Sequence, residues 1–447
     1  MSQLVIIAGG KGTRMSNKFA NLPKSLVPLM GQPLLAHQLS WAQRNGVTQV
    51  EIFAGYLGEQ IAEYVQSTDW PGMDIRVHIE QEPLGNAGAV LNHLSLMHDT
   101  FIVAYGDLMI DLDLSKLIAF HRSRNAQFTA VVHPNDHPYD SDLYECDSSG
   151  VVTQIHLYPH TEEGSLPNLV NAAMYAVERD VLASNFEAGQ KSDFTKQIIP
   201  SLLKANIPVH TFRTVDYVKD VGTPDRLEKA ERDIGRGLVR LSNTSARRPA
   251  IFLDRDGTLN SDDGKVTSPK CVQLLPGVAH ALKRLRSEGF LLVVVTNQPM
   301  IAKGEATEAD LESVHRELEW QLGKERAFVD RIYYCPHHPD KGFAGERPEL
   351  KIRCECRKPE IGLFTRACAE LEIDPERSWM IGDRTVDIEF ANRAGLKSVL
   401  LQTGDAGQDG KYSVQPQFIA ADLTEVAELI CSASSADSNQ SAIVGTR

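Results

Sequence analysis

Residues 252–260 read FLDRDGTLN. An apolar run enters at Ala250, and Asp254 and Asp256 flank a single arginine before Gly257 lets the chain turn. A strand ending this way delivers carboxylates to its carboxyl end, where ligands of open α/β sheets bind. One carboxylate of a D-x-D turn can attack phosphorus, while the second serves first as acid and then as base. The plainer reading of these nine residues alone is an acidic, N-capping turn.

Working outward, three pieces favour the chemical reading. LLVVVTNQP (291–299) ends a buried strand with Thr296 and Asn297, small donors suited to a phosphoryl group. CRKPEIGL (356–363) supplies Arg357 and Lys358 as cations for the transferring phosphate and its substrate. MIGDRTVD (380–387) ends another strand with Asp383, a third carboxylate for a metal, and adds Asp387 nearby. In this order the pieces resemble the haloacid dehalogenase superfamily phosphatases, over residues 249 to about 405. The resemblance implies Asp254 as nucleophile, Asp256 as acid/base, and Mg²⁺ held by Asp254, Asp383 and the Asp256 backbone carbonyl.

Between the second and third strands lies YYCPHHPDKGFAGERPELKIRCECRKP (333–359). Cys335, His337, Cys354 and Cys356 complete a closed tetrahedral Zn²⁺ shell, so this metal is expected to be structural. Binding would offset the ordering entropy of a loop without a core. His338 is an alternative ligand; the C-x-H spacing that mirrors C-x-C favours His337. With that loop, the segment is similar to heptose 1,7-bisphosphate phosphatases and to histidinol-phosphate phosphatases. TNQPMIAKG (296–304) departs from the small residues common there, placing Pro299 and Met300 beside the substrate pocket.

The chain starts differently. VIIAGGKGTR (5–14) is a strand running into a glycine turn, where Gly9, Gly10 and Gly12 bare their amides beside Lys11 and Arg14. Such a turn can surround a polyphosphate, although many glycine turns are mere topology. PKSLVPLMGQP (23–33) adds Lys24, and EPLGNAGAV (82–90) adds Gly85 and Gly88, which permit close approach by a flat base. VAYGD (103–107) and KDVGTPDRLEKAE (219–231) place Asp107 and Asp220 at distant strand ends, a pairing that suits Mg²⁺ bound jointly with triphosphate. Over roughly 3–234 these segments resemble the sugar-1-phosphate nucleotidyltransferases. The resemblance implies Arg14 and Lys24 on phosphates, Asp107 and Asp220 on metal, and Gly85 near the base. QIHLYPH (154–160) lacks the Glu-Lys pair usual there, and Asn86 and Ala173 replace a usual Thr and Gly, so sugar handling is altered. Asn171 is a sugar-contact candidate, equally readable as a strand Asn satisfied by the protein; Asp193 reads as a helix N-cap.

Both halves alternate apolar runs with amphipathic stretches, which predicts two α/β domains. By the resemblances above, the first is expected to be a Rossmann-like nucleotidyltransferase with a mixed, mostly parallel sheet over 1–235. A polar linker follows at 236–248, then a haloacid dehalogenase-type Rossmannoid with a zinc loop over 249–430, and a serine-rich tail over 431–447 expected to be disordered. The 447 residues carry a net charge of −13, which argues against nucleic acid or anionic membrane as a partner, and no run is long enough to span a bilayer. Seven cysteines, three of them clustered, suit a metal in a reducing, cytoplasmic setting more than a disulfide framework.

Together the halves read as a bifunctional enzyme of activated-heptose synthesis. One removes the C7 phosphate of a heptose bisphosphate, and the other joins the heptose 1-phosphate to an NTP, with GTP suggested by family and pathway. Alternatives are another sugar phosphate (mannose or glucose 1-phosphate) with a histidinol-phosphate-type phosphatase, or a first half serving as an inactive sugar-nucleotide sensor. No motif sets an oligomeric state.

Overall fold

The computed structural model describes residues 3–10, 19, 21–160, 164–243, 247–262 and 265–432. The chain forms two compact units, one from Met1–His133, Ser141–Tyr158 and Leu169–Asn243, the other from Pro134–Asp140, Pro159–Asn168 and Thr244–Arg447.

The second unit holds six parallel strands in the order Arg331–Cys335, Leu291–Asn297, Ala250–Leu253, Trp379–Gly382, Lys397–Leu401 and Phe418–Ala420. In chain order this is 3-2-1-4-5-6, the doubly wound arrangement, and the order reverses between Ala250–Leu253 and Trp379–Gly382. Both faces of Ala250–Leu253, Leu291–Asn297 and Trp379–Gly382 are covered, which is why these inner strands are buried along nearly their whole length and do not alternate. Ile251, Leu253, Leu292 and Val294 pack with Leu282 and Leu285 of the helix Val278–Ser287 and with Val314 and Leu318 of Glu308–Lys324. Phe252 points the other way, its ring centroid 5.4 Å from that of Phe364. The longest helix, Glu308–Lys324, starts at a capping box of Thr307 and Asp310.

In the first unit, Thr100–Tyr105, Gln3–Ala8, Gln49–Ala54 and Asp74–Ile79 run parallel. The nine-residue strand Val170–Glu178 runs against Thr100–Tyr105 and Phe128–His133, so the sheet is mixed. Leu4 and Ile6 enter one core and Val5 the other, the period of two that a sheet buried on both faces demands.

Two stretches differ from expectation. Within 236–248, Leu238–Leu241 is helical, and Val239 is buried with Leu227 and Ala230 of Pro224–Gly235. Four residues are too few for a readable helical stripe. Residues 423–432 are helical, with Leu423, Val426 and Ile430 in the core and Cys431 buried, so order continues past 431. The rest of the expected tail, 433–447, lies outside the described residues. Among the described residues no helix is long and apolar enough to cross a membrane.

Candidate active sites and a candidate metal centre

At the reversal point of the second sheet, Asp254 follows Ala250–Leu253 and Asp383 follows its neighbour Trp379–Gly382. Asp254, Asp383 and Asp387 each present an oxygen within 4.8 Å of the others. The carboxylate of Asp256 is not in this group; Asp387 takes the third place because it lies in the first turn of Thr385–Ala394, directly after Asp383. The Lys358 ammonium is buried between Asp254 and Asp387, 2.9 and 2.6 Å away. Burial pulls its pKa down, but the two carboxylates more than reverse this and raise it.

One ammonium does not neutralise three carboxylates. Burial, with the Asp254 charge beside it, pushes Asp383 up to about 7. Burial also lifts Asp387 to about 6, with Asp254 adding and Lys358 opposing. Asp383 Oδ1 is buried without a hydrogen-bond partner among the described residues. The walls around this carboxylate are glycine by necessity: a Cβ on Gly257 or Gly404 would meet Asp383 Oδ2 at 2.4 or 2.1 Å. Excess buried negative charge, a spare oxygen and all-oxygen donors fit a hard divalent cation.

Asp256 stands apart under a clamp. Arg255 Nε and Nη2 donate to its two oxygens at 2.8 Å each, Gln298 Nε2 adds a bond at 2.9 Å and Asn260 Nδ2 one at 3.0 Å. Burial works to raise this carboxyl, but Arg255 and the donors hold it below the usual range. Thr296 is buried, and its hydroxyl oxygen accepts from Gln298 at 2.8 Å. Asn297, expected to face the phosphoryl group, spends its amide on Lys358: Nδ2 donates to the Lys358 carbonyl at 3.0 Å and Oδ1 accepts its N–H at 2.9 Å. Thr296, Asn297, Arg357 and Lys358 nevertheless line one open cleft with Asp254 and Asp256.

Cys335, His337, Cys354 and Cys356 also converge within 4.8 Å. Their sulfur–sulfur separations are 3.2, 3.4 and 3.6 Å, and His337 Nδ1 is 3.2 Å from Cys356 and 3.7 Å from Cys335. Thiolates bound tetrahedrally to Zn²⁺ would lie about 3.8 Å apart, so the set fits with slight expansion. The hydrogen bond between the Cys335 and Cys356 sulfurs holds the Cys356 thiol down at about 5, while that same bond and burial push Cys335 up. His338 is turned elsewhere, its Nδ1 accepting from the Asp340 N–H at 3.2 Å.

In the first unit, Lys24 Nζ donates to Asp107 Oδ2 at 2.9 Å. A Cβ placed on Gly222 would stand 2.7 Å from Asp220 Oδ1, 3.1 Å from Lys24 Nζ and 3.6 Å from Asp107 Oδ2, so all three groups meet at one point. Burial raises the Asp107 carboxyl, Asp220 raises it further, and Lys24 opposes both. Two carboxylates from separate strands facing one space again fit a divalent cation. Lys11, Gly12 and Arg14 lie outside the described residues.

Gly10 faces open space, whereas Gly9 backs onto Glu80, whose Oε2 lies 2.9 Å from where a Gly9 Cβ would be. Glu80 Oε1 is buried and unpartnered among the described residues, and burial raises this carboxyl against the pull of the Leu84 amide and His93. Gly85 has φ +79°, and its missing Cβ faces the Ser192 carbonyl oxygen at 2.4 Å. On that side the space is taken by backbone. Asn171 Nδ2 donates to Tyr175 and Thr195 at 2.9 Å each, the internally satisfied arrangement. Asp193 caps its helix, accepting from the Thr195 and Lys196 N–H groups at 2.9 Å.

A model of the nucleotidyl transferase family matches residues 3–237, and a HAD-hydrolase-like model matches 355–426. The D-glycero-beta-D-manno-heptose-1,7-bisphosphate 7-phosphatase of Haemophilus ducreyi is 44% identical over 161 residues, which are 36% of this chain and 86% of that protein. Its namesake in Pasteurella multocida is 39% identical over 186 residues, 41% of this chain and 97% of that one. The chain belongs to the nucleotidyl transferases and to the heptose-bisphosphate phosphatases. It is an enzyme with transferase and phosphatase activities. Solved structures similar to it include HddC from Yersinia pseudotuberculosis complexed with GMP-PN (25% identity, TM-score 0.46, 52% of this chain and 100% of that one). Another is the D,D-heptose 1,7-bisphosphate phosphatase of B. bronchiseptica complexed with magnesium and phosphate (32%, 0.36, 41% and 98%).

Sequence reasoning missed Glu80 in the transferase half, and Arg384, Lys411 and Tyr412, which also line the phosphatase cleft. A glutamate one residue past Asp74–Ile79 was a readable strand-end signal. Lys411 and Tyr412 lie in an irregular stretch, and nothing local marks them.

Proposed function

We propose that the phosphatase half removes the C7 phosphate of D-glycero-D-manno-heptose 1,7-bisphosphate in a Mg²⁺-dependent reaction. The transferase half then joins GMP from GTP to heptose 1-phosphate and releases pyrophosphate. One observation carries this reading: a chain segment 44% identical to a heptose-bisphosphate 7-phosphatase is joined to a nucleotidyl transferase half, whose reaction class consumes a sugar 1-phosphate.

In the phosphatase half, Asp254 and Asp383, with Asp387 beside them, would hold Mg²⁺, which would offset charge on the transferring phosphoryl group. An Asp254 oxygen attacks phosphorus as the bond to the C7 oxygen breaks, and Asp256 hands that oxygen a proton. Asp256 then takes a proton from the water that opens the aspartyl phosphate, which frees inorganic phosphate and restores Asp254. The Arg255 clamp favours ionised Asp256 and so assists this second step. Lys358 balances charge at the nucleophile, and the Cys335, His337, Cys354 and Cys356 group would hold a structural Zn²⁺.

In the transferase half, Asp107 and Asp220 would hold a second Mg²⁺ on the triphosphate, with Lys24, Arg14 and the turn at Gly9–Gly12 around the phosphates. Positioning and charge carry this step, and no proton-transfer residue is needed. Glu80 supports the choice of GTP: a half-buried carboxylate whose Oε1 has no partner among the described residues can accept both N1–H and N2–H of guanine, adjacent donors that no other common base presents.

Mass spectrometry after incubation with heptose 1,7-bisphosphate, Mg²⁺ and each NTP in turn tests the reading. GDP-heptose, phosphate and pyrophosphate are expected with GTP. An equally abundant product with another NTP would remove the base assignment, and no phosphate release would remove the substrate.

A further inference from the structure

In the first unit the order of strands separates two ends of the ligand space. Glu80 follows Asp74–Ile79, which connects to Thr100–Tyr105 only through Gln49–Ala54 and Gln3–Ala8. The base contact proposed for Glu80 therefore lies to one side of Asp107. The acceptor sugar is left the other side, toward Val170–Glu178.

That side carries a carboxylate with no role so far. Phe128–His133 runs along one edge of Val170–Glu178, with His133 beside Val170 and Ala130 beside Tyr175. The other edge is shared: Met174 pairs with Ala104, whereas Val170 pairs with Leu143. Leu143 thus continues the line of Thr100–Tyr105 past its carboxyl end, the end that leads into Asp107. From Met174 back to Val170 the strand covers on the order of 10 Å, a span that a sugar 1-phosphate can bridge. Next to Leu143, the Asp142 carbonyl accepts the Asn171 N–H at 3.1 Å, which fixes the backbone there. The Asp142 side chain is half-buried, and its Oδ1 accepts the Tyr158 N–H at 2.9 Å. Among the described residues, its Oδ2 has no hydrogen-bond partner and no cation pairs with it.

We infer that the Asp142 carboxylate accepts hydroxyls from the end of the acceptor sugar remote from its C1 phosphate, and so selects a heptose over a hexose. This rests on the proposed reading that the acceptor is heptose 1-phosphate. With the C1 phosphate at Asp107, the far end of the sugar points along the shared edge to Asp142. In a heptose that end is a vicinal diol, at C6 and C7, and a carboxylate has acceptor sites for both hydroxyls. A hexose brings a single hydroxyl there. Hydrogen bonds to an ionised acceptor are about twice as strong as neutral ones, and a site built to receive a hydroxyl discriminates against the analogue that lacks it.

The test uses the whole chain with GTP and Mg²⁺, reading pyrophosphate release with heptose 1-phosphate and with mannose 1-phosphate. Asp142→Asn keeps an oxygen for the Tyr158 N–H and removes the charge and one acceptor. The ratio of kcat/KM for heptose to that for mannose should fall on the order of tenfold or more, through the KM of the sugar. The KM for GTP should not move. Asp142→Ser repeats the measurement with a smaller side chain, and both ratios are read within one preparation, so partial unfolding cancels. A wild-type chain with no preference for the heptose overturns the acceptor reading, and this inference with it. A clear wild-type preference that both variants keep in full overturns this inference alone, as does a loss shared equally by the two sugars.

Discussion

Replacing Lys358 by Met is the sharpest probe of the phosphatase centre. Methionine keeps much of the stem volume and removes only the charge. Lys358 Nζ is the cation touching both Asp254 and Asp387, and Asp387 has no exposed surface. Taking one partner out of a buried ion-paired set leaves uncompensated charge, which costs about 3–5 kcal/mol. For a unit of this size that is a fall in Tm on the order of 6–20 °C. The pH dependence has a definite sign. Asp387 already stands at about 6 in the fold by burial, against an unfolded value of about 3.9, and losing Lys358 lifts it further. The folded carboxyl then keeps a proton that the unfolded chain releases. Stability therefore falls as pH climbs above about 4, and the penalty grows until the pH passes the folded pKa. Differential scanning calorimetry of the whole chain in Mg²⁺-free buffer at pH 5.0 and pH 7.5 should show the larger loss at pH 7.5. Added Mg²⁺ should recover more Tm in the variant than in wild type, because the variant site is more negative. A variant that melts with wild type at both pH values, or that loses more at pH 5.0, would refute the electrostatic account.

Other outcomes follow from the same geometry. Asp254→Asn should abolish phosphate release and leave pyrophosphate release intact; loss of both activities would show that the sites are not independent. Zinc removal by a chelator should lower the melting transition of the second unit and spare pyrophosphate release. Metal analysis of protein from zinc-replete cells should find about one zinc per chain, and its absence would reject the Cys335, His337, Cys354 and Cys356 assignment. Glu80→Gln should cut kcat/KM for GTP about 10- to 100-fold while sparing ATP, the worth of a charged hydrogen bond. An unmoved GTP-to-ATP ratio would strip Glu80 of its role.

What the sequence makes legible is whatever a strand end brings to one place. Asp254 and Asp383 come together because each is the first residue past an apolar run, and parallel neighbours in a doubly wound sheet finish on the same side. Asp107 and Asp220 meet by another route, 113 positions apart in the chain: Tyr217–Asp220 runs antiparallel to Leu108–Asp111 and sets Asp220 opposite Leu108, next to Asp107. Side-chain direction is another matter. Asn297 ends its strand as expected, yet its amide turns to the backbone of Lys358, 61 residues on. Gly85 is glycine as expected, and the neighbour that forbids a Cβ there is the Ser192 carbonyl. In both cases the residue type was informative and its partner was not, because the partner belongs to a different element with no sequence mark of the contact. Asp387 shows the converse. Its proximity to Asp383 was plain, and its weight comes only from Lys358, which reaches it across 29 positions. A carboxylate noted only for standing near Asp383 thereby becomes half of the cage around the buried ammonium. The phosphatase centre is thus a charge balance among four side chains from three separate segments. Motifs name its members, and only the fold sets how their charges offset one another.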